Sequence, residues 1–153
     1  MKKGDEIYRE VVENLHEGIW AIDKDAVTTY VNSRMAEMLG YAPDEMVGRH
    51  LNSFMDERGR DISNRNLQRR RQGISEDHEF ELLHKNGSRV YTIMQTSPIV
   101  DAEGRYAGAL AGVLDITERK RIENELRYAR DQLERRVENR TKELQRSITK
   151  LEK

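Results

Sequence analysis

The apolar positions of this chain switch between a period near 3.6 and a period of two, and each switch marks an element. Ile7, Val11 and Leu15, with Tyr8 and Val12 beside them, recur at helical spacing from Asp5, a capping residue, to Gly18, which ends the run. Such an amphipathic helix needs a surface to lie on. Residues 19–23 and 27–32 then alternate as two short strands around Lys24-Asp25 and predict a hairpin. Helical spacing returns in short pieces. Asn32 or Ser33 caps a segment carrying Met35, Met38 and Leu39 that ends at Gly40, and Pro43 opens another with Met46 and Val47 that ends at Gly48. Leu51, Phe54 and Met55 make a further apolar patch, and residues 58–72 form a polar surface helix with Ile62 and Leu67 as its only anchors.

Three strands follow over residues 76–84, 89–100 and 105–116, joined at Lys85-Asn86-Gly87-Ser88 and at Asp101-Ala102-Glu103-Gly104. The first of these turns admits two registers. A two-residue loop sets Leu82 opposite Tyr91, whereas a three-residue loop with Gly87 as a left-handed bulge sets Leu82 opposite Val90 and Phe80 opposite Thr92.

The stretch Asp115-Ile116-Thr117-Glu118-Arg119 joins this strand-rich part to one long charged helix. Asp115 can accept backbone hydrogen bonds at the first turn while Glu118 answers as in a capping box, which predicts a stiff signalling joint. Beyond it, Ile122, Leu126, Ala129, Leu133, Val137, Thr141, Leu144, Ile148 and Leu151 form a heptad seam with one stutter near Leu133 to Val137. No Pro or Gly follows Gly112, so the helix can extend about 50 Å at roughly 1.5 Å per residue. So narrow a stripe is marginal on a single helix and is buried by a parallel homodimer, with Ile122, Leu126, Leu133, Val137, Leu144 and Ile148 as dimerisation positions.

Composition adds exclusions. The chain has 153 residues and no cysteine, so thiolate nucleophiles, disulfides, cysteine-ligated zinc and iron–sulfur clusters are ruled out. A reducing cytoplasm fits that composition. A net charge of −1 offers no general attraction to nucleic acid or anionic membrane. The charge is unevenly shared: residues 117–153 carry 12 Lys and Arg against 8 Asp and Glu. No apolar run approaches the roughly 20 residues of a membrane span.

The ordered set Asp23-Lys24-Asp25, Tyr30-Val31-Asn32, Gly40-Tyr41, Gly48-Arg49, Lys85-Asn86-Gly87-Ser88 and residues 108–117, ending in Asp115-Ile116-Thr117, resembles PAS domains over about residues 12–117. The resemblance implies an α+β fold, a five-stranded antiparallel sheet with short helices on one face, here with an amphipathic N-terminal helix over 1–17, the PAS domain over 18–116 and a coiled-coil signalling helix over 117–153. It also implies a ligand pocket between sheet and helices. Under the three-residue turn, the pocket face carries Trp20, Ile22, Thr28, Tyr30, Phe80, Leu82, Thr92, Met94, Thr96, Ala109, Ala111 and Val113. The other face carries Ile19, Ala21, Val31, Tyr91, Ile93, Leu110 and Leu114, to be covered by the N-terminal helix of its own or a partner chain.

Trp20, Thr28, Tyr30, Asn66, Thr92, Met94 and Thr96 are the candidate ligand-binding residues, and Asp115, Thr117 and Arg119 the candidate signal relay. Trp20 can stack on an aromatic ligand or fill the cavity itself, and the inner threonine hydroxyls can meet a ligand, backbone carbonyls or water. Two residues depart from the family pattern: Ala26 stands at the usual turn glycine, and Thr28 at a usual aliphatic position. His50-Leu51-Asn52-Ser53 lacks the cysteine of the light-sensing flavin branch, which excludes a photoadduct and leaves noncovalent flavin or a small metabolite open. Haem is not expected, because residues 58–73 hold no histidine, and His50, His78 and His84 read as ordinary surface or edge residues. Arg69-Arg70-Arg71 reads as solvated surface, and Glu79 with Glu81 shows no cleft. No catalytic, metal or phosphate-loop motif stands out.

The expected function is a cytoplasmic sensory module, not itself an enzyme, relaying a small-molecule or redox signal through the coiled coil to an output domain beyond Lys153, foremost a histidine kinase, as residues 133–144 resemble kinase-linker helices. A ligand-free interaction and dimerisation module, or the sensor of a cyclic-dinucleotide enzyme or transcription factor, are the alternatives. Neither nucleic acid nor membrane is an expected partner of this segment.

Overall fold

The computed structural model describes residues 2–152, so the expected outer bounds at Met1 and Lys153 lie outside the described residues. Two compact units divide at Thr117. The first contains α1 (Lys2–Asn14), β1 (Gly18–Asp23), β2 (Thr28–Val31), α2 (Ser33–Leu39), α3 (Pro43–Met46), a 3-10 turn (Leu51–Phe54), α4 (Glu57–Arg71), β3 (Glu76–Leu83), β4 (Arg89–Val100) and β5 (Tyr106–Asp115). The five strands form one antiparallel sheet in the order β2-β1-β5-β4-β3.

Alternation decides which side of the sheet is buried. Trp20 and Ile22 on β1, Phe80 and Leu82 on β3, Val90 and Met94 on β4, and Ala109, Ala111 and Val113 on β5 all face a core completed by Met35, Leu39, Met46 and Phe54 from the helices. Trp20 and Tyr41 each meet Phe54 edge to face with ring centroids 5.3 Å apart. Of the two registers open for the β3–β4 hairpin, the three-residue turn is the one adopted: Leu82 pairs with Val90 and Phe80 with Thr92, and Gly87 takes φ 89°.

The β1–β2 hairpin adopts the left-handed conformation despite lacking a glycine. Ala26 has φ 62°, which costs a non-glycine residue about 1 kcal/mol. Asp23 offsets it, its carboxylate accepting from the backbone of Asp25 (2.8 Å) and Val27 (3.0 Å). The extra residue bulges at Thr29, because Ile22 pairs with Thr28 whereas Ala21 pairs with Tyr30 and Trp20 with Val31. This bulge corrects the expected faces of β2: Val31 turns into the core at 3% exposure, and Tyr30 turns to the opposite side.

Asn32 anchors the surrounding chain. It is fully buried, its Oδ1 accepts from the backbone of Ile19 and Met35 (both 2.9 Å), and its Nδ2 donates to the carbonyls of Val12 (2.9 Å) and Glu17 (3.1 Å). Asn32, not Ser33, therefore caps α2. α1 departs from expectation in two ways. It starts before Asp5, which sits inside the helix, and it stops at Asn14, short of Gly18. Its apolar residues Ile7, Tyr8 and Val11 are exposed, as are Leu110 and Leu114 on the outer sheet face, so α1 does not cover that face of its own chain.

The second unit is the helix continuing from Glu118. α5 spans Thr117–Leu151 without interruption, and among its described residues none is buried. Its surface is laced by pairs one turn apart, including Arg119–Glu123 (3.1 Å), Arg130–Glu134 (3.1 Å) and Lys142–Glu138 (3.0 Å).

Candidate functional site

A cavity of about 60 Å³ lies between the inner face of the sheet and α4. Its apolar wall comes from Trp20 and Ile22 on β1, Met55 at the end of the 3-10 turn, Phe80 and Leu82 on β3, Met94 on β4, and the small Ala109 and Ala111 on β5. The polar part comes from Ser63, Asn66 and Arg70 on α4, His78 on β3 and Thr96 on β4. The inward stripe of α4 runs Gly59, Ser63, Asn66, Leu67, Arg70, one turn at a time, as helical geometry requires. Its N-terminus is held by Asp56, whose carboxylate accepts from the backbone of Gly59 at 2.7 Å.

Of the residues expected to bind ligand, the cavity brings together Trp20, Asn66, Met94 and Thr96 and leaves out Thr28, Tyr30 and Thr92. The threonines are already partnered. Thr28 accepts the Trp20 indole N–H (3.1 Å), Thr92 donates to the Phe80 carbonyl (2.8 Å), and Thr96 donates to the Glu76 carbonyl (3.2 Å). Tyr30, carried outward by the bulge, donates to Glu13 at 3.0 Å, and burial together with that carboxylate pushes its phenol up to about 12.

Two cavity residues were misjudged from sequence, Arg70 and His78. Arg70 is 2% exposed, not solvated; it donates to the Ile74 carbonyl (2.8 Å) and to Glu76 (3.0 Å), and its Nε is buried without a partner. His78 stands edge to face with Phe80, with Nδ1 buried and unpartnered. Burial, then the Arg70 charge, holds the His78 imidazole below its ordinary range, and the Arg70 hydrogen bond lowers Glu76. The signals were present: His78 shares parity with Phe80 and Leu82, and Arg70 continues the stripe through Ser63 and Asn66.

His50 and His84 spend Nδ1 on the backbone of Asn52 and Asn86 (both 3.1 Å). Among the described residues no cluster of acidic or histidine side chains is placed to hold a metal ion. Glu79 and Glu81 are exposed, Glu81 being paired with Arg89 at 2.7 Å. A cavity of about 60 Å³ is far below the roughly 300–1,000 Å³ of a cofactor pocket, so a flavin does not fit this arrangement.

At the end of β5 the backbone of Ile116 donates to the Tyr91 carbonyl (2.8 Å), and Thr117 Oγ1 accepts the Tyr91 N–H (3.0 Å). Asp115 accepts from the backbone of Thr117 at 2.9 Å. The expected capping box is absent here, because Glu118 pairs with Arg121 instead of reaching back. Arg119 pairs with Glu123 within α5.

Residues 6–116 match the PAS family, described as the PAS fold. The chain belongs to the PAS family. A PAS domain of an HTR-like protein from Haloarcula marismortui superposes with a TM-score of 0.63 at 22% identity, covering 76% of this chain and 100% of that one. Relatives of this PAS chain include the bacterioopsin transcriptional activator of Halobacterium salinarum, 28% identical over 75% of this chain and 17% of the activator. The C4-dicarboxylate transport sensor protein DctS of Rhodobacter capsulatus is 30% identical over 73% of this chain and 18% of its own length, and sporulation kinase C of Bacillus subtilis 25% over 82% and 29%. The PAS chain thus spans less than a third of each of these relatives. It is a PAS domain similar to parts of a transcriptional activator, a transport sensor protein and a sporulation kinase. No helix among its described residues is long and apolar enough to cross a membrane.

Proposed function

We propose that this PAS domain is the cytoplasmic sensory module of a larger regulator, homodimeric through α5, that passes the state of its cavity to an output domain beyond Lys153, foremost a histidine kinase. It acts in that regulator as the sensing part and not as the enzyme. The observation that carries the reading is the hydrogen-bonded tie of Thr117 to Tyr91. β4 and β5 both line the cavity, through Met94, Ala109 and Ala111, and both hold the first residue of α5, so a shift of either strand bears on that residue. Asp115 and Thr117 are the relay; Arg119, engaged within α5, supports the helix. The relatives that are sensors and kinases favour this output.

Dimerisation is supported by the exposed seam. Ile122, Leu126, Leu133, Val137, Leu144 and Ile148 are 45–65% exposed, and a second copy is the partner whose heptad spacing matches throughout. The chain has no cysteine, so single-cysteine variants report the pairing without background. Leu126→Cys, Leu133→Cys and Leu144→Cys are expected to cross-link to the same position of a second copy under mild oxidation, and Arg130→Cys, off the seam, is not. Equal cross-linking at all four positions would remove the parallel dimer.

A second reading has its own observation. The small cavity, with Trp20 tied to Thr28, favours a ligand-free interaction and dimerisation module, which predicts that no solute alters the cross-linking pattern.

A further inference from the structure

The lining of the cavity carries more polar character than the fold uses. Arg70 ties the end of α4 to the start of β3 through its two Nη atoms, on Ile74 and Glu76. That structural role leaves the Nε–H over, buried and unpartnered in a side chain 2% exposed. His78 lines the same cavity, and its Nδ1 is also buried without a partner. An apolar residue there would simply continue the row of Phe80 and Leu82. Two buried polar atoms left unanswered are costly unless something in the cavity meets them.

Charge indicates what that is. Glu76 is shared between Arg69 (2.8 Å) and Arg70 (3.0 Å), so two guanidinium groups stand against one carboxylate. Asp77, the next acidic residue, hydrogen-bonds Gln95 at 3.5 Å. Fork-shaped guanidinium donors favour carboxylate oxygens.

We infer that the cavity takes a small carboxylate, its oxygens received by Arg70 Nε and His78 Nδ1 and its short apolar body packed against Trp20, Phe80 and Met94. A volume of about 60 Å³ matches about two water molecules, which limits the ligand to the smallest aliphatic acids, acetate or propionate. The inference rests on the sensor reading and specifies its ligand.

The test is a titration of the full chain, followed by NMR at the Arg70 Nε–H and the His78 ring, with acetate and propionate. Chloride holds the ionic strength constant, and acetamide and propionamide serve as neutral isosteres. Saturable shifts at both groups are expected with the acids, at least tenfold weaker with the amides. Arg70→Lys, which keeps the charge and removes Nε, and His78→Phe, which removes the ring nitrogens, should each weaken the acid at least tenfold. If Arg70→Lys fails to fold, the wild-type titration and His78→Phe decide. Amides binding as well as acids would overturn the carboxylate while leaving a ligand-binding sensor in place. No saturable shift from any solute would overturn it in favour of water at both atoms. The sensor reading fails on separate grounds, namely input-dependent output of a parent regulator that is unchanged by Asp115→Ala and by Thr117→Val.

Discussion

Asn32 shows how much structure one side chain can hold. Its four hydrogen bonds join the end of α1, the start of β1 and the first turn of α2. Asn32→Ala leaves several buried backbone groups unpaired, at about 1–3 kcal/mol each with partial relaxation, and a loss of about 3 kcal/mol in urea unfolding is expected. His78 sets a pH dependence. Its folded-state value lies below the ordinary 6.5, first through burial and then through Arg70. The unfolded chain therefore takes up the proton more readily, and stability declines as pH falls below 6.5. Unfolding midpoints measured from pH 7.5 downward should show this decline in the wild type and a shallower one in His78→Phe; identical slopes would mean the ring is not held neutral. Polar residues of this kind are hard to judge from sequence, since Arg70 is the buried one of three consecutive arginines, Arg69 and Arg71 being exposed.

At the scale of elements, the end of β5 is the joint worth breaking. Thr117→Val keeps the side-chain shape but leaves the Tyr91 N–H without its acceptor, which should cost about 1–2 kcal/mol. Amide exchange at Tyr91 is the direct readout and should quicken, with little change at Phe80 and Thr92 inside the sheet. Asp115→Ala removes the bond to the Thr117 backbone. In a parent regulator either change is expected to weaken input-dependent output, and unchanged output would sink the relay. β2 carries a different lesson about elements. A single bulged residue, Thr29, exchanged the faces of Tyr30 and Val31, because a pleated strand has a period of two.

For the molecule as a whole, the division at Thr117 sets the expectation. The PAS unit holds the core, and among the described residues α5 contributes none that is buried. A chain ending at Thr117 should therefore keep a cooperative thermal transition within a few degrees of the original. It should also lose roughly tenfold or more in dimer affinity, by light scattering across a dilution series, since tenfold corresponds to about 1.4 kcal/mol. A truncated chain that failed to fold would show that the helix is needed by the core.

Sequence by itself determined the order and kind of the elements, the turn at Asn86-Gly87 and the long uninterrupted helix. These follow from local periodicity and turn chemistry, which are written residue by residue along the chain. Tertiary structure decided which inner-face side chains reach a cavity and which are consumed by neighbours, since Thr28 found Trp20 and Thr92 found Phe80. It decided the burial of Arg70 and His78, which depends on how α4 lies over β3. It also left the apolar side of α1 uncovered by its own sheet. The physical reason is the same in each case: a hydrogen-bond partner or a cavity wall is a relation between segments distant in sequence, and no local pattern contains it.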